Sequence, residues 1–140
     1  MKKAAPKKAS SLQIDAIFCD CATVREGLLH VLGGGITRIF REHYPALMNL
    51  HLAMVVHCPP ELTGETHQMS LTLRDPQSSR LAEANVSFSV TGLDDGEEIT
   101  VPMTASFQHQ ILPAAGVYEL ELAMAGKTLR KLRLQARLNA

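Results

Sequence analysis

Residues 82–90 read Ala82-Glu83-Ala84-Asn85-Val86-Ser87-Phe88-Ser89-Val90. Each even position is apolar and each odd position is polar. Successive side chains of a strand point to opposite faces, so this stretch predicts a strand with one dry and one wet face. The same period of two recurs outward in both directions. Met69, Leu71 and Leu73 alternate with Gln68, Ser70, Thr72 and Arg74. Ile99, Val101, Met103, Ala105 and Phe107 alternate with Thr100, Pro102, Thr104 and Ser106. Proline cannot donate to a ladder, so Pro102 places that strand at a sheet edge or beside a bulge. Tyr118, Leu120, Leu122 and Met124 alternate with Glu119 and Glu121, and Leu132, Leu134, Ala136 and Leu138 with Arg133, Gln135 and Arg137.

Two further runs, Leu12–Val24 and Leu47–Val56, are apolar on nearly both faces and read as central strands. Leu28–Leu32 and Ile36–Phe40 read as short strands on either side of Gly33-Gly34-Gly35. Turn residues fall between the runs: Asp75-Pro76-Gln77-Ser78-Ser79, Gly92-Leu93-Asp94-Asp95-Gly96, Pro113-Ala114-Ala115-Gly116 and Ala125-Gly126. About eight or nine strands at short spacing, with no convincing amphipathic helix, predict an all-β fold. The expected form is an antiparallel β-sandwich, loosely immunoglobulin-like.

The chain has 140 residues, 46% hydrophobic and 20% charged, which suits one globular domain and excludes a wholly disordered or collagen-like chain. Fourteen basic residues balance fourteen acidic ones, which argues against a globally basic nucleic-acid binder. Lys2, Lys3, Lys7 and Lys8 lie in residues 1–11, read as a disordered basic tail ahead of a domain spanning 12–140. Without those four, ten basic residues face fourteen acidic ones, a formal charge of −4. Four lysines without aromatics give salt-sensitive, non-specific attraction to nucleic acid. No apolar run reaches the eighteen residues that a membrane helix needs, and no apolar stretch follows the charged start. Three cysteines, two of them spaced Cys19-x-Cys21, suit reduced thiols and a cytoplasmic setting.

Three stretches carry a resemblance. Residues 17–24 read Ile-Phe-Cys-Asp-Cys-Ala-Thr-Val, residues 28–39 read Leu-Leu-His-Val-Leu-Gly-Gly-Gly-Ile-Thr-Arg-Ile, and residues 111–126 hold Leu-Pro, Gly-Val-Tyr-Glu-Leu-Glu-Leu and Ala-Gly. Together they resemble a family of small uncharacterised bacterial β-sandwich proteins. Its members have Cys-Asp-Tyr-Ala, then Asn-Val-Leu-Gly-Gly-Gly, then a C-terminal Gly-x-Tyr hairpin. Cys21 stands where the family tends to have an aromatic residue, and His30 where it has Asn. The resemblance implies fold and length but no activity.

Candidate chemistry is sparse. Gly33-Gly34-Gly35 lacks the Gly-Lys-Ser/Thr and helix of a phosphate loop, and no βαβ unit surrounds it. These three glycines read as a structural turn or bulge that needs positive φ. Cys19, Cys21 and His51 are the candidate metal ligands, since a Cys-x-Cys pair on one strand shares a face. The competing reading is buried thiols packing as small hydrophobes. Asp20 is expected to cap a turn or to pair with Arg25 or Arg38. Asp94, Asp95, Glu97 and Glu98 form an acidic loop without calcium-ligand spacing. Lys131, Arg133 and Arg137 form a basic stripe, expected to face Glu119 and Glu121 across a hairpin. No serine or histidine sits in a catalytic arrangement, so no catalytic residue and no cofactor is expected. The resulting expectation is a non-catalytic binding or assembly module, meeting a protein partner or a second copy through free strand edges and outward residues such as Ala53, Val55 and Leu129. Two alternatives stand beside it: a metal- or small-molecule-binding enzyme using the Cys19/Cys21 strand, and a weak nucleic-acid binder using the tail and last strand.

Overall fold

The computed structural model describes residues 12–62, 64–91 and 98–139. The expected tail and most of the acidic loop, including Asp94, Asp95 and Glu97, lie outside the described residues. The protein is all-β. Among the described residues eleven strands follow in order: β1 (Gln13–Arg25), β2 (Leu28–Ile36), β3 (Arg38–Arg41), β4 (Ala46–Leu47), β5 (Leu50–Cys58), β6 (Thr66–Arg74), β7 (Arg80–Ser89), β8 (Ile99–Phe107), β9 (Ile111–Leu112), β10 (Gly116–Met124) and β11 (Lys127–Leu138). One sheet has the order β2-β1-β5-β8, a second β3-β11-β10-β6-β7, and β4 pairs with β9.

The count exceeds the eight or nine strands expected because two short pieces, β4 and β9, escape a periodicity reading. Asn49 takes a φ of 55°, which splits β4 from β5. β4 and β9 are two residues each, too short to show alternation. β3 pairs with β11 in parallel, so the fold is not wholly antiparallel.

The long alternating runs form the strands predicted for them, and their dry faces meet. β5 turns Leu50, Leu52, Met54 and Val56 inward, β6 turns Met69, Leu71 and Leu73, and β10 turns Tyr118, Leu120 and Leu122. These residues of the two large sheets belong to one buried cluster. Phe18 of β1 meets Phe107 of β8 edge-on, with ring centroids 6.3 Å apart. Fully burying one Leu- or Phe-sized side chain is worth roughly 1.5–3 kcal/mol, so this cluster is the main source of stability. Two expectations for outward residues need correction. Ala53 is buried beside Cys19, Ala22 and Leu29, and Leu129 packs against the main core. Ala84 is exposed although its alternation is apolar, because β7 is the edge of its sheet.

Local chemistry sets the turns. Asp75 Oδ1 accepts hydrogen bonds from the Gln77 and Ser79 amides, both at 2.9 Å, which closes the β6–β7 hairpin. Ala125 and Gly126 have φ of 52° and 77°, the paired positive values of a tight hairpin between β10 and β11. Across that hairpin Glu119 stands opposite Arg133 and Glu121 opposite Lys131. The expected facing of basic and acidic residues holds for Lys131 and Arg133, and of the stripe Lys131 alone forms an ion pair among the described residues, its Nζ 3.9 Å from Glu119; Arg137 lies beyond the paired glutamates, and Glu121 is instead 3.6 Å from Arg74 of β6. A hydrogen bond from Thr128, then Arg74 and Lys131 nearby, hold the Glu121 carboxyl below the usual carboxylate range. No helix among the described residues is long and apolar enough to cross a membrane.

Candidate functional site

Among the described residues β2 is paired on one side alone. Its partner is β1, in a register that sets Arg25 opposite Leu28 and Phe18 opposite Ile36. The three glycines lie inside this strand and do not separate two strands. Cys19 faces Gly34 while Phe18 faces Ile36, so Gly35 is the extra residue of a bulge, with a φ of 87°. A Cβ at Gly34 would lie 2.7 Å from Ile17 Cδ1, the movable end of an exposed side chain.

The outcome is a nine-residue edge, Leu28-Leu29-His30-Val31-Leu32-Gly33-Gly34-Gly35-Ile36, that carries no acidic residue, lysine or arginine. Leu28 is 62% exposed and Leu32 71% exposed, and Val31 is also exposed. The other edges are guarded. β8 carries Pro102, β7 carries Arg80 and Glu83, and four-residue β3 carries Arg38 and Arg41. Native proteins blunt edges with such charges, prolines and short lengths, or with bulges, and of these β2 has the bulge at Gly35 alone.

The cysteine strand is placed as follows. Cys19 stands opposite His51 in the β1–β5 ladder, and its Sγ lies 3.5 Å from the His51 carbonyl oxygen. The His51 ring turns elsewhere, its Nδ1 lying 3.0 Å from the Asp20 carbonyl oxygen. Cys19 and Cys58 are buried, whereas Cys21 is exposed. Burial first, then Cys21 and Asp20, push the Cys19 thiol above its ordinary pKa. Burial also raises Cys58, with Glu98 adding to it. The strand thus brings Cys19 and His51 together by backbone register. Among the described residues no three His, Cys, Asp or Glu side chains gather as a metal site.

Asp20 makes neither of its expected ion pairs: no arginine lies within reach among the described residues. Its carboxylate instead covers Gly33, where a Cβ would sit 2.7 Å from Oδ2. Sequence reasoning missed a second cluster. His57 Nε2 donates to Asp15 Oδ2 at 2.9 Å, and its Nδ1 lies 3.7 Å from Glu98 Oε1. Both ring nitrogens face carboxylates, so among the described residues no hydroxyl or thiol is joined to this imidazole as a nucleophile. The signal was available in part, since His57 is six residues from His51 on one strand, but its partners lie on β1 and beside β8.

A family model matches residues 14–137, from the first core residue of β1 almost to the end of β11. The chain belongs to DUF6941, a family of unknown function. In this DUF6941 member the matched region contains β2, the Cys19/Cys21 strand and the final hairpin, and omits the four tail lysines. No curated protein matches the sequence.

Proposed function

We propose that this protein is a non-catalytic assembly module that joins other chains by strand addition at β2, and that its first partner is a second copy of itself. The observation that carries the reading is the charge-free β2 edge, with Leu32 71% exposed. An added strand gains main-chain hydrogen bonds along the edge, and Leu28, Val31 and Leu32 supply apolar contact. A two-fold antiparallel pairing of β2 with β2 would extend each four-stranded sheet into one of eight, and two-fold pairing is the commonest oligomer symmetry.

For the fold, the reading is a single domain over residues 12–140, a face-to-face sandwich of immunoglobulin-like topology. The strand orders β1-β5-β8 and β11-β10-β6-β7 run like A-B-E and G-F-C-C′. Tyr118, near the start of β10, is fully buried and donates its hydroxyl to the Ala114 carbonyl oxygen at 2.6 Å. That resembles the tyrosine corner of immunoglobulin-like domains. In this reading β2 is an insertion that gives the first sheet a new edge. Three free thiols support a reducing, cytoplasmic setting.

Sedimentation velocity over a concentration series tests the assembly claim. Wild-type protein is expected to show a concentration-dependent dimer, and Leu32→Lys to remain monomeric at the same concentrations with an unchanged circular dichroism spectrum. A wild-type protein that stays monomeric at about 100 μM, well above a micromolar Kd, or an equally dimeric Leu32→Lys, overturns it.

A further inference from the structure

We infer that the seam between β1 and β11 is a binding site for an amphipathic organic anion, a carboxylate carried on an apolar chain. The topology leaves this seam open. β2 reaches along β1 only from Arg25 to Phe18, so no described strand pairs with that edge of Gln13–Ile17. β3 reaches along β11 only from Gln135 to Leu138, so the edge of Lys127–Leu134 is free of a described strand as well. Thr37 carries the chain from β2 across to β3, and its carbonyl accepts from the Gln135 amide at 2.9 Å, which closes one end.

Between the two open edges lies a cleft of about 440 Å³. That falls within the range of small-molecule sites, roughly 300–1,000 Å³. Ile17, Phe18, Ile36 and Leu132 give it apolar walls and Arg130 gives it a positive charge, while Lys131 and Arg133, which also line it, stand opposite Glu121 and Glu119 on the other face of the strand. None of the residues lining this cleft is acidic; Asp15 lines the adjoining stretch of the seam, which also includes Arg130.

Arg130 is the informative residue. It stands opposite buried Leu122 in the β10–β11 ladder. Opposed residues share a face, so Arg130 occupies the side on which Leu132 and Leu134 stand opposite Leu120 and Tyr118. An exposed cation with the parity of the core-facing residues thus stands at the mouth of an apolar cleft. Among the described residues no carboxylate lies within ion-pair distance of Arg130 or Arg133, whereas Lys131 reaches Glu119. A guanidinium in this position offers a planar set of donors suited to a carboxylate, and the apolar walls suit the chain attached to it. Unpaired main-chain N–H groups on the two open edges are further donors at the same place.

The test is a titration of sodium decanoate, below its micelle concentration, into methyl-labelled protein followed by NMR, with 1-decanol as the uncharged control. Saturable shifts are expected at the Ile17, Ile36 and Leu132 methyls. Decanol is expected to bind at least tenfold more weakly. Arg130→Gln, at an exposed position, is expected to weaken decanoate at least fivefold while leaving decanol unchanged. Equal affinity for decanol, an Arg130→Gln variant that binds decanoate as wild type does, or shifts confined to Leu28, Val31 and Leu32 each overturn the assignment. So does binding of an oligoglutamate peptide by a protein that ignores decanoate. The readout is separate from oligomer mass, so its failure and that of β2 pairing are distinguishable.

Discussion

A methyl group at residue 33 would meet two obstacles at once. The φ of 62° belongs to the left-handed region, and Asp20 Oδ2 would lie 2.7 Å from the new carbon. Gly33→Ala is therefore expected to destabilise the protein by about 1–2 kcal/mol, read as a lower urea midpoint. An unchanged midpoint would contradict the geometry. The thiols divide by burial in the same local way. Cys19 and Cys58 are enclosed and their thiols are held protonated, whereas Cys21 is exposed. Iodoacetamide at pH 8 is expected to label Cys21 alone in the folded protein and all three after denaturation, as counted by intact mass. Rapid labelling of Cys19 in the native state would show that this strand opens, and would reopen its candidacy for chemistry. These residue-level facts were partly legible: the glycine triplet announced positive φ, but that Asp20 would cover Gly33 depended on a register no local pattern encodes.

At the scale of the element, β2 and β11 show what alternation reveals and what it hides. The strands whose one face is dry, β6, β10 and most of β11, were readable because burial imposes a period of two. β2 is exposed along most of its length, so no dry face shaped its sequence. Its glycines then read as a break where the ladder in fact continues through a bulge. β11 carried a signal that was easy to pass over. Arg130 has the same parity as Leu132, Leu134 and Ala136 and stands directly before that apolar row. The bulge beside Leu122 keeps Arg130 opposite a core residue, at the seam where the row leaves the core. The Arg130→Gln titration belongs to this scale, because it separates a cation placed for a ligand from one merely solvated.

On the scale of the whole molecule, the sheet order explains why the two proposed surfaces exist together. A chain passing directly from β1 to β3 would leave β1 as the edge of its sheet. The inserted β2 covers the distal half of that edge, from Phe18 to Arg25, and leaves the proximal half open against β11. One insertion thus creates a charge-free edge strand and the end wall of a cleft. None of this was accessible from composition: fourteen positive and fourteen negative charges give a neutral average that conceals the charge-free β2 and the wholly basic set of ionisable residues in β11. Strand order also escapes periodicity, since the same alternation fits many pairings. The Leu32→Lys experiment asks whether copies associate; a more direct measurement asks where. In a dimer mixed from ¹³C,¹⁵N-labelled and unlabelled chains, isotope-filtered NMR is expected to show inter-chain contacts between β2 residues, centred on His30 to Leu32. Inter-chain contacts found on another strand, or none at a concentration where the dimer is populated, would contradict assembly through β2.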